Sequence, residues 1–126
     1  VVHLSEQERQ DLALMVSDIF ADWGLNSVQQ LCLLGLPESG SARQLTRYRH
    51  GTALPDEEDV LDRAKHLLGI QEALHTVFPH APGMPAHWLR RRSRYFHSSP
   101  PLEVMLDEGV NGMHWVWRHL DCTVDW

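Results

Sequence analysis

Apolar residues in this chain recur every three or four positions and never alternate one for one over a useful length, which points to packed helices. The clearest run is Leu12, Met15, Val16, Ile19, Phe20 and Trp23. Ser5 and Glu8 introduce it as an S-x-x-E capping box, and Gly24 stops it. Ser27 and Gln30 make a second box, predicting a helix that turns Val28, Leu31 and Cys32 inward before Gly35 and Pro37 end it. A third helix is expected from about Ser41 to His50, closed by Gly51. Pro55 in a first helical position, with Asp56, Glu57, Glu58 and Asp59 after it, opens the longest helix. Val60, Ala64, Leu67, Leu68, Leu74, Val77 and Phe78 carry that helix to Pro79. Gly69 inside it costs about 1 kcal/mol against alanine, so it predicts the close approach of another helix or a bend.

The PHAPGMP run at 79–85 is the clearest loop, and shorter helices are expected over 86–92, 101–107 and 111–120. The fold class is therefore all-α. A helix-turn-helix half over 1–72 is joined by a long helix to a small helical half over 73–126, with a hinge near 70–85.

The chain has 126 residues, room for one domain or two small ones on a shared core. Its net charge of -6 argues against a protein that coats nucleic acid non-specifically. The bases are nonetheless clustered, and all but one are arginine, the residue suited to bidentate recognition of phosphate, carboxylate or guanine. Cys32 and Cys122 lie far apart with no metal or disulfide spacing, and no signal peptide or long apolar stretch is present. A reducing, cytoplasmic location with no membrane span is expected. No HExxH, zinc-finger spacing, P-loop, GxSxG or dinucleotide turn occurs, so neither enzyme activity, a metal nor a cofactor is expected.

The segment from Ser27 to Gly51 has the layout of a helix-turn-helix. Leu45 and Tyr48 would point inward, leaving Arg43, Gln44 and Arg47 on the outer face with Ser41 and Arg49 beside them. Those types suit the major groove, where arginine meets guanine, glutamine meets adenine and serine meets phosphate. The same pattern describes a helical hairpin whose basic face is merely solvated.

A second basic run, Arg90 to Arg94, lies beside Trp88, Tyr95 and Phe96. Overall acidity ranks docking of an acidic protein partner first, a solvated helix end second and nucleic-acid stacking third. Trp23 is expected in the core, and Trp115, Trp117 and Trp126 crowd the last dozen residues as either a packed cluster or an interaction hook.

The run AKHLLGIQEALHTVFP from Ala64 to Pro79 resembles the joint between the two halves of the Xre/MbcA/ParS antitoxin family. Downstream, Trp88-Leu89, the run Pro101 to Leu106, Glu108-Gly109 and the closing Trp117, Arg118 and Leu120 resemble that family's toxin-binding domain. LLGLPESG at Leu33 to Gly40, with Gly51, sits where its Xre-like domain would be. The stretch Arg94 to Ser99 departs from the family, which has an asparagine and a glycine-rich turn there.

The resemblance implies a type II antitoxin that pairs with itself as a homodimer. It would neutralise a RES-domain, NAD-degrading toxin and repress its own operon by binding operator DNA. It would place Trp88, Arg91, Arg94 and Tyr95 near the docking face, with Val124, Asp125 and Trp126 as the tail that occludes the toxin. The alternative expectation is a stand-alone helix-turn-helix regulator without a toxin.

Overall fold

The structure, a computed structural model, describes residues 3–37 and 42–124, the side chains of 123 and 124 excepted. The fold is all-helical. Among the described residues seven helices run in the order α1 (Glu6–Trp23), α2 (Ser27–Leu34), α3 (Ala42–Arg49), α4 (Glu58–Val77), α5 (Met84–Arg90), α6 (Pro101–Glu108) and α7 (Val110–Val124). A 3₁₀ turn at Arg94–Phe96 precedes α6, and no strand occurs among the described residues. No helix there is long and apolar enough to cross a membrane.

Helix α1 forms where the sequence predicts it. The Ser5 hydroxyl accepts from the Glu8 amide, the Glu8 side chain accepts from the Ser5 amide, and Gly24 closes the helix in the left-handed region. Hydrogen bonding to the Glu8 carboxyl, by the Ser5 amide foremost and then by the Ser5 side chain, holds it below its ordinary value. Leu12, Val16, Ile19, Phe20 and Trp23 are buried, but Met15 is turned outward and 46% exposed. The buried stripe is narrower than the apolar run, and Met15 falls on its edge.

Helix α2 begins one residue earlier in register than expected. The box is made by Asn26 and Gln29, not by Ser27 and Gln30. In this register Leu31, Leu33 and Leu34 are buried, Val28 is more than half exposed and Cys32 is half-buried. Asn26→Ala should therefore cost about 1 kcal/mol of stability, while Ser27→Ala should change it little. Urea midpoints compare the two directly, and the reverse order would restore the Ser27 register.

Helix α4 starts later than expected. Pro55 lies before it, Glu57 is the N-cap, and only Glu58 and Asp59 occupy the first turn. The cause is tertiary. Leu54 is fully buried; its amide donates to the Arg9 carbonyl at 3.3 Å and its carbonyl accepts from Arg9 Nη1 at 2.9 Å. That docking on α1 holds the chain extended at the point where the helix was expected to open. Further on, Pro85 enters α5 instead of closing the loop, so α5 covers Met84–Arg90 instead of 86–92. Helix α7 extends past both expected ends.

Helix α4 is the centre of the fold and touches α1, α2, α5 and α7, the last most extensively. It runs unbroken through residues 70–77, where a hinge was expected. One continuous apolar core includes Trp23, Leu34, Leu67, Ile70, Leu89, Phe96, Met105 and Met113. Two glycines set the approach of α7. At Gly69 a Cβ would overlap the Trp117 ring, so the expected close approach is made by an indole lying on the helix backbone. At Gly112 the obstruction would be the Val104 carbonyl of α6.

Candidate functional site

Two surfaces gather the residues that the sequence singles out. The first is α3, which alternates sharply between faces. Leu45 and Tyr48 are buried against the core, while Arg43 and Arg47 are exposed one turn apart on the other side. Gln44 does not join them freely. It is half-buried, and its Nε2 donates to the Tyr48 hydroxyl at 2.8 Å. Arg49 is exposed but bonded along its own helix, donating to Thr46 Oγ1 at 2.9 Å. Ser41 lies outside the described residues. Of the four expected DNA-binding positions that are described, Gln44 and Arg49 are tethered to neighbours on α3, while the side chains of Arg43 and Arg47 are exposed and make no hydrogen bond or ion pair with another described residue.

The second surface lies where α5, the 3₁₀ turn and α7 meet. The Tyr95 and His119 rings stack at 4.0 Å between centroids, and Trp88 lies nearly parallel to His119 at 6.4 Å and 11°. Buried Phe96 supports them edge-on, against Tyr95 at 5.0 Å and Trp115 at 4.9 Å. Tyr95 remains 50% exposed, and Arg91 and Arg94 are exposed nearby in sequence.

The arginine run does not act as one face. Arg90 turns away to donate to the Gly24 carbonyl at 3.0 Å and the Ala86 carbonyl at 3.0 Å, which closes the C-terminus of α1. Arg91 ends α5 in an extended conformation, so the residues after it no longer follow helical spacing. Val124 ends α7, its side chain outside the described set together with Asp125 and Trp126.

The sequence missed His119 and the supporting roles of Phe96 and Trp115. Trp115 and His119 stand four apart on α7, a spacing that puts them on one face, but only the approach of the 3₁₀ turn to α7 reveals most of their partners. Burial holds the His119 imidazole below its ordinary value, because its charged form loses hydration. In the unfolded chain the ring regains that value and binds its proton more readily. Stability should consequently fall as pH drops through about 6.5 and level off below the folded-state value. Denaturation midpoints between about pH 8 and pH 5 check this, and His119→Phe should flatten the slope. An unchanged slope in the variant would remove His119 as its source.

Among the described residues no group of three His, Cys, Asp or Glu side chains stands close enough to hold a metal ion. The hollows of the surface lie elsewhere, one along the loop at 78–85 and one between α1 and α4. Neither hollow is lined by residues of the two surfaces described above. No family model matches the chain, and no curated protein matches it either.

Proposed function

We propose that this chain is a binding protein with two working faces, an antitoxin that docks its toxin with one and represses its own operon with the other. The observation that carries the reading is the pair Arg43 and Arg47, held outward one turn apart on α3 by the burial of Leu45 and Tyr48 on its opposite side. An anchored short helix with two exposed arginines has the chemistry of a major-groove reader. Homodimer formation would present two such helices to half-sites one helical turn apart.

The toxin-docking face in this reading is the Trp88, Tyr95 and His119 stack with Arg91 and Arg94. Its support is compositional and geometric: aromatic rings fixed by their neighbours, beside arginines, are the common anchors of protein interfaces. An acidic RES-domain toxin is the partner proposed for it.

Co-expression with the product of the adjacent reading frame, followed by size-exclusion chromatography and growth rescue, tests the antitoxin assignment. A toxic product that co-elutes and is neutralised supports it. An adjacent product that is neither toxic nor bound, with DNA binding retained, makes the chain a stand-alone regulator. For the DNA face, Arg43→Ala and Arg47→Ala should each cost about 1–3 kcal/mol of operator affinity and leave toxin binding intact. Equal losses of both activities would contradict two separate faces.

A further inference from the structure

A third surface belongs to neither face. Met15, Asp18 and Asp22 on α1 and Leu68, Glu72 and His75 on α4 border an open groove of about 660 Å³. Each set repeats at helical spacing over about two turns, giving a trough on the order of 10 Å long. Buried Ile19 adds to its apolar floor. Met15 and its neighbour Leu14, at 46% and 42% exposed, are two of the few large apolar side chains that the described residues leave open to water.

The rim is acidic, since Asp18, Asp22 and Glu72 line it and no lysine or arginine does. Asp22 is fixed from beneath: its Oδ2 accepts from Gln71 Nε2 at 2.8 Å, and Gln71 Oε1 accepts from the buried Trp23 indole at 2.7 Å. His75 Nε2 stands 3.8 Å from the same carboxylate.

We propose that this groove docks a short amphipathic helix of another protein, one whose apolar side is flanked by lysine or arginine. The apolar anchors of such a helix would seat on Met15, Ile19 and Leu68, where the flexible thioether adapts to their shape. Its bases would meet Asp18, Asp22 and Glu72, an arrangement that favours cationic partners and rejects acidic ones. A second copy of this chain fits poorly, because apposing the groove on itself would bring like carboxylates together. The proposal is independent of the DNA-binding and toxin-binding readings.

The test uses the full chain and three labelled peptides of about 14 residues. One carries leucine at helical spacing with lysine on its flanks, one has glutamate in place of lysine, and one is a scramble of the first. By fluorescence anisotropy the lysine peptide should bind with a Kd on the order of tens of micromolar, and the other two at least about tenfold more weakly. Asp18→Lys with Glu72→Lys, both at exposed positions, should weaken the lysine peptide by at least about tenfold while leaving the melting temperature unchanged. Equal affinity for the scramble, or an affinity unmoved by charge reversal, would overturn the proposal. So would a dimer of the free chain that Met15→Lys dissociates, which would make the groove a self-association surface.

Discussion

Gly112→Ala is expected to lower the unfolding free energy by about 3 kcal/mol, although alanine is worth about 1 kcal/mol more than glycine inside a helix. The loss comes from the turn between α6 and α7. Gly109, at φ 63, ends α6 and α7 starts at the next residue, so the first turn of α7 lies directly against the last turns of α6. A Cβ at Gly112 would overlap the Val104 carbonyl oxygen, lie 2.9 Å from the Val104 carbonyl carbon and lie 3.1 Å from Glu108 Cβ. Backbone cannot rotate aside as a side-chain tip can, so the two helices must part. Parting them loosens Met105, Met113 and Val116, all fully buried. Because α7 also carries Trp115 and His119, the aromatic face should loosen with it, and partner binding should fall along with stability. Urea denaturation followed by circular dichroism measures the first effect. A midpoint equal to or above that of the parent would show that α6 and α7 separate without cost.

The fold was legible wherever a local signal had no rival. The Ser5 and Glu8 box, the Gly24 stop and the Pro101 start each depend on residues a few positions apart, and each was read correctly. At α2 two overlapping boxes compete, Asn26 with Gln29 and Ser27 with Gln30, and their local chemistry is nearly equal. The structure uses the Asn26 box, and no helical spacing along the sequence separates the two. Pro55 fails in the same way: its local preference is sound, but Leu54 docking on Arg9 overrides it.

The candidate faces show the same division. The inward turn of Leu45 and Tyr48 was visible as helical spacing, whereas the bond from Gln44 to Tyr48 depends on where the phenol lies once buried. The arginine run looked like one patch because its residues are consecutive. Arg90 leaves that patch for a carbonyl contributed by a residue far away in sequence, Gly24. His119 joins the aromatic stack only because the 3₁₀ turn lies against α7 with Trp88 beyond it, a neighbourhood that no periodicity encodes.

Gly69→Ala should cost about 2–3 kcal/mol, and most of that loss should vanish in a background that lacks Trp117. A Cβ at Gly69 would meet the six-membered ring of the indole, with Trp117 Cη2 at 2.6 Å. The ring has little freedom to retreat, since His66 stands edge-on to it at 5.4 Å and 77°. Helix propensity pulls the other way by about 1 kcal/mol, so the sign of the net effect reports whether the clash dominates. Trp117→Ala alone should cost about 2–3 kcal/mol, at or below the low end for a large aromatic because the ring is only partly buried. With Trp117 truncated, the three atoms nearest to a Cβ at Gly69 are gone and alanine keeps its propensity gain, so the double variant should be no less stable than Trp117→Ala alone. The cycle then gives a coupling energy of about 3–4 kcal/mol, whereas additive losses would mean that Gly69 is required for some reason other than the indole. Since α4 packs on both α1 and α7, the Gly69 lesion should lower the stability of the whole chain in a single transition. Two separated transitions would instead show that the segments 1–72 and 73–126 fold as independent units, and that α4 only bridges them.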